Sequence, residues 1–127
     1  MNKWKGTFEV SIGDETYTLR PTFDALCEFE EVAGMPAMKA RQDLLEGNYG
    51  AKVIPAAIWA GMRGEHLING QKCPSFRVLG ETLRKAGIVK YQVDALKLLT
   101  YAASADDIIE SIEAQYNEGE ELEEKKS

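Results

Sequence analysis

The sequence predicts an α+β protein that is mostly helical, with an N-terminal β-hairpin packed on a bundle of five or six helices. Three observations lead there. A period of two in hydrophobicity is confined to residues 7 to 20. From Thr22 onward apolar residues recur at three- and four-residue spacing. Glycine, proline and small polar residues then punctuate that pattern into helix-length segments. A chain of 127 residues is the size of one domain, so residues 1–116 read as a single globular unit and 117–127 as an appended tail.

The hairpin comes first. In "TFEVSI" Phe8, Val10 and Ile12 share one face while Thr7, Glu9 and Ser11 share the other, and "TYTLR" continues the alternation. The "GDE" between them supplies a tight turn. Two strands alone are marginal in water and need a cover for their apolar face. The next segment provides it. Thr22 is placed to cap a helix, with Asp24 in the first turn near the positive end of the dipole. Phe23, Leu26, Phe29, Val32 and Ala33 form its apolar stripe, and Gly34 then Pro36 stop it.

Asp24, Glu28 and Glu31 fall together opposite that stripe, with Glu30 near the boundary and Cys27 beside them. Acid/base or metal chemistry would need these carboxylates turned inward, so a solvated helix face is the expectation. A short helix over 37–46 follows and ends at Gly47-Asn48. "AKVIPAAIWAGMRG" makes the next, with Pro55 tolerable only in its first turn, so regular helix starts near Lys52 or later. "GEHLINGQKCP" reads as a loop, and Ser75 caps a helix that ends at Gly87. "YQVDALKLLTYAAS" is a fifth helix, and a sixth restarts at Ser104 and runs through Ile108, Ile109, Ile112 and Tyr116.

Several function classes find no support. No "GxxxxGK[ST]" or strand-linked "GxGxxG" accompanies the glycines, so phosphate binding is not indicated. One histidine and two cysteines do not make a zinc cluster, and His66 reads as a surface loop residue. Ser75 reads as a cap and not as a nucleophile. No catalytic residue, cofactor site or metal site is assigned, and an enzyme is not expected. The tail "NEGEELEEKKS" sets five glutamates against two lysines and carries half of the net charge of −6. The nearly balanced remainder shows no basic stripe, so nucleic acid is not expected as a partner. The tail has one leucine, too little apolar surface to offset ordering entropy, and is expected to be disordered. With no membrane-length apolar run and no signal-like start, the expected compartment is the cytoplasm, with no membrane partner.

The first half resembles a known family. "YTLRPTFDAL" leads into "EFE" and a glycine, and "IPAAIWAGMRG" follows about 20 residues later. This is similar to the small tail proteins of prophages and gene transfer agents, which show "Y-L-----AL-ELE---G" and then "I--AGLRG". The matching positions are Tyr17, Leu19, Ala25, Leu26, Glu28, Phe29, Glu30 and Gly34, then Ala60, Gly61, Met62, Arg63 and Gly64, with Ile58 one place closer than the family's isoleucine. Phe29 and Met62 stand where leucine is usual, and the segment around Cys73 departs from the pattern. The resemblance implies a non-enzymatic role in building a phage-like tail, with the tape-measure protein and other tail proteins as partners. It implies either a tail assembly chaperone or a tail tube component. The helical composition favours the chaperone, because a tube ring would rest on extended sheet. Tyr91, Leu98 and Tyr101 do not share the stripe of Leu96 and Leu99, so they are the candidate outward-facing partner contacts. Self-association is a further expectation.

Overall fold

In the computed structural model, residues 6–115 are described. The tail expected over 117–127 lies outside them, as does Trp4. Two strands, β1 (Phe8–Ile12) and β2 (Glu15–Leu19), form an antiparallel hairpin in which Phe8 faces Leu19, Val10 faces Tyr17 and Ile12 faces Glu15. Gly13 begins the two-residue turn at φ +63°, a conformation that lets the strands twist without splaying. Helices follow as α1 (Phe23–Ala33), α2 (Ala37–Glu46), α3 (Val53–Asn69), α4 (Phe76–Ala86) and α5 (Gln92–Ala102), with a 3-10 turn at Ile88–Tyr91 leading into α5. A sixth helical stretch, α6, occupies residues 106–115. The fold is α+β and mostly α, as the periodicities predict.

Local chemistry explains the helix ends. The Thr22 hydroxyl accepts from the Ala25 N–H at 3.1 Å, and Gly34 closes α1 in the left-handed conformation. Pro36 at the start of α2 offers no side-chain cap. Glu30 supplies one from the preceding helix, its carboxylate accepting from the Ala37 N–H at 2.7 Å. Pro55 occupies the third position of α3, where no intrahelical N–H bond is required. The Ser75 hydroxyl caps α4 by accepting from the Val78 N–H.

The hub is α3. Val53 through Ile58, Ala60 through Met62, Gly64 and Glu65 are all buried, so this helix is covered nearly all round. It packs against α1, α4, α5 and β2. Two glycines allow β2 and its exit to lie directly on its surface. A Cβ at Gly61 would stand 2.8 Å from Leu19 Cβ, and one at Gly64 would run into the Arg20 carbonyl oxygen. The same close approach lets the Arg20 N–H donate to the Gly61 carbonyl at 3.0 Å.

Four expectations change here. Helix α3 does not stop at Gly64 but continues through "EHLIN" to Gly70, whose left-handed backbone ends it. Gly64 had the look of a terminator, whereas its role is a tertiary contact. His66 is therefore in the last turns of α3, half-buried, with Nδ1 hydrogen-bonded to the Gln71 carbonyl at 2.8 Å. Phe23, expected in the apolar stripe of α1, is 76% exposed. The buried side chains of α1 are instead Ala25 and Phe29. Finally Glu28 is not simply solvated but pairs with Arg63 at 3.4 Å. Among the described residues no helix is long and apolar enough to cross a membrane.

Candidate protein-binding surface

The polar groups of the body are committed to holding elements together. Glu65 is the one charged side chain among the buried described residues, and it accepts from Arg20 Nε at 2.9 Å and from Asn69 Nδ2 at 2.8 Å. This pair ties the exit of β2 to the end of α3. Gln71 does the same one step along. Its side-chain amide donates to the Thr18 carbonyl and accepts from the Thr18 N–H, both at 2.9 Å, so it imitates a neighbouring strand on the outer edge of β2. Trp59 donates from Nε1 to the Pro74 carbonyl at 2.9 Å and meets Phe76 edge to face, which pins the loop between α3 and α4.

That loop and the hairpin frame an open groove of about 490 Å³ lined by Glu15, Tyr17, His66, Lys72, Cys73 and Pro74. Two of its side chains, Tyr17 and Cys73, have raised pKa values. Burial, then the hydrogen bond to Glu15, pushes the Tyr17 phenol up. Burial also pushes the Cys73 thiol up, against the opposing pull of Arg63. A thiol held protonated is a poor nucleophile. Its Sγ lies 3.6 Å from the Pro74 carbonyl. Among the described residues no three His, Cys, Asp or Glu side chains are gathered where a metal ion could sit. The acids of α1 disperse as well: Glu28 goes to Arg63, Glu30 caps α2, and Asp24 and Glu31 face outward.

The three candidate contacts Tyr91, Leu98 and Tyr101 prove to be interior. Leu98 is fully buried, and Tyr91 and Tyr101 are each 5% exposed. The reason is that α5 is enclosed over a wide arc, with α2, α3 and α1 all packed on it. Its inward set therefore includes Ala95, Leu98, Leu99 and Tyr101 together, broader than a single narrow stripe. Tyr101 has a structural task. Its hydroxyl donates to Glu113 at 2.7 Å, its ring meets Phe8 edge to face, and Lys97 lies over both rings while pairing with Glu113 at 3.3 Å. With the buried Ile109, this cluster seats α6 on the body. None of the three offers a surface in the folded chain.

The exposed apolar side chains lie elsewhere. Thr22 beside Gly64 sets the first turn of α1 next to the last turns of α3. At that corner Phe23, Leu67 and Ile68 are all exposed, the last two by 51% and 58%. A second group gathers where Gln92 donates to the Leu44 carbonyl and accepts from the Tyr49 hydroxyl, joining the end of α2 to the start of α5. There Leu45, Val89 and Val93 are exposed. Sequence periodicity marked Phe23 as core and placed Leu67 and Ile68 in a loop, so it carried no signal for the first group. Val89 and Val93, apolar and four residues apart, carry the pattern of a buried stripe, so periodicity gave no signal for the second group either. Comparison of the chain with family models, curated proteins and solved structures finds no match.

Proposed function

We propose that this chain acts in the morphogenesis of a phage-like tail, as an assembly chaperone that binds the tape-measure protein in the bacterial cytoplasm. The resemblance of "YTLRPTFDAL" and "IWAGMRG" to small tail proteins supplies the context. The observation that carries the chaperone reading is the corner of Phe23, Leu67 and Ile68. An exposed aromatic ring with two exposed aliphatic side chains, at the abutting ends of α1 and α3, suits the apolar face of an amphipathic client helix. Phe23 has the size and rigidity of an anchor residue, and its exposure frees it from any role in the core.

A second reading, a structural tail tube component, is favoured by one feature: among the described residues no hydrogen bond reaches the outer edge of β1, and tube rings close by strand pairing between neighbours. The test is co-expression with tape-measure fragments. The chaperone reading expects those fragments to become soluble and to co-purify with the chain, and Phe23→Ser to abolish both while the free protein stays folded. Fragments as insoluble as before would overturn it. Polymerisation of the chain into tubes would favour the second reading.

A further inference from the structure

The two edges of the hairpin are treated differently, and the register says which backbone groups are involved. Gln71 bonds to both the N–H and the carbonyl of Thr18, so those groups point away from β1. In an antiparallel ladder such directions alternate along each strand. Thr18 faces Glu9 and Thr16 faces Ser11 across the ladder. The N–H and carbonyl groups of Glu9 and Ser11 must therefore point away from β2, at the outer edge of β1. Among the described residues no hydrogen bond reaches them, whereas the corresponding edge of β2 is occupied by Gln71. Strand β1 has no proline, no bulge and no inward-pointing charge, and Glu9 is its one charged residue.

We propose that the β1 edge pairs with the β1 edge of a second copy of this chain, antiparallel and centred on Val10. This inference does not depend on the tail reading. The occupant follows from the self-complementarity of the strand. A two-fold axis at Val10 sets Glu9 opposite Ser11 of the other copy, and Ser11 opposite its Glu9. These are the residues with free backbone groups, so each pair exchanges both N–H···O bonds. The side chains agree with the backbone. The Ser11 hydroxyl lies 3.3 Å from that of Thr16, which can donate to it. Its own proton is then left for the facing Glu9 carboxylate. Val10 and Ile12, on the core-facing side, are already buried in their own body, so the pairing rests on the edge backbone groups and on the exposed Glu9 and Ser11. A two-fold at Glu9 would instead set carboxylate against carboxylate. Isologous pairing of this kind closes on itself, as most homodimers do.

Position 11 tests both the partner and the register. Ser11→Glu places a second carboxylate opposite Glu9, and Ser11→Lys places an ammonium there. Each change acts twice in a symmetric dimer. The dimer dissociation constant, read by sedimentation equilibrium, should rise roughly two- to thirtyfold for the first and fall by a similar factor for the second. Ser11→Pro removes an N–H that the hairpin itself does not use, so the chain should keep its helical circular dichroism and lose dimerisation. In hydrogen exchange the Glu9 and Ser11 amides should be protected only at concentrations where the dimer forms, while Val10 is protected throughout. A wild-type chain that stays monomeric to roughly millimolar concentration overturns the proposal. So does a dimer indifferent to all three variants, and shifts of the same sign for Ser11→Glu and Ser11→Lys overturn the register.

Discussion

Replacing Gly64 by alanine should destabilise this protein, although the same change at Gly80 in α4 should help. Gly64 lies inside α3, so alanine lowers the conformational entropy lost on folding and contributes about 1 kcal/mol in favour of the helix. Against that, its methyl group would collide with the Arg20 carbonyl oxygen and sit 3.3 Å from Thr22 Oγ1. The obstacle is backbone, so relief requires the exit of β2 to move as a unit. Such overpacking costs about 1–3 kcal/mol. The movement also strains the bond from the Arg20 N–H to the Gly61 carbonyl, worth about 1 kcal/mol. The net loss is about 1–3 kcal/mol, or a melting temperature lower by roughly 4–15 °C for a domain of this size. Gly80 in α4 is the internal control, because nothing lies within 4 Å of a Cβ built there. Gly80→Ala should raise stability by up to about 1 kcal/mol. Urea titration of both variants measures the difference directly. A Gly64→Ala protein as stable as Gly80→Ala would refute the close docking of β2 on α3.

Other expectations follow from burial and charge. Phe29→Ala, in a fully buried site, should cost about 3–5 kcal/mol, whereas Phe23→Ser should change stability by no more than about 0.5 kcal/mol; equal losses in denaturant would mean that the faces of α1 are misassigned. Cys27 is exposed and Cys73 half-buried with its thiol pKa pushed up by burial, so a thiol-reactive dye at pH 7 should label Cys27 first. Mass mapping of the labelled peptide decides it. Burial also raises the Asp94 carboxyl pKa, with Lys97 only partly opposing. The folded state then holds that proton more tightly than the unfolded one, so the Asp94 contribution favours folding at low pH and is lost as pH rises from the unfolded to the folded pKa. Asp94→Asn should remove this part of the stability–pH curve, and a curve unchanged between pH 3 and 7 would contradict it.

What could be read from the sequence was the local chemistry. The Gly13 turn, the Thr22 and Ser75 caps, the Gly34 stop and the position of Pro55 each depend on a few neighbouring residues, and each stands where the spacing put it. The failures share a cause of the opposite kind. Gly64 serves a contact with Arg20, and nothing within one turn of it reveals that partner. Phe23 has the right spacing for the core but sits in the first position of α1, where the helix's buried face is carried by Ala25 and Phe29. Tyr91, Leu98 and Tyr101 were assigned by the width of a stripe, and that width depends on how many helices enclose α5. The candidate surface was hardest to see, since an exposed Phe23 is defined by what fails to cover it. Gln71, a loop residue of no evident importance in the sequence, closes a strand edge because the fold brings it to Thr18.

The bonds that seat the hairpin have a bearing on the order of events during synthesis. Arg20 waits for Glu65, 45 residues later, and Thr18 for Gln71, 53 residues later. At a translation rate of about 5–20 residues per second, the hairpin leaves the ribosome roughly 3–10 s before the segment that anchors it. A lone hairpin is marginal in water, so in that interval it forms and melts repeatedly with both edges uncovered. On polysomes, where nascent copies lie side by side, the β1 strand is therefore available to a neighbour before its own chain has a core.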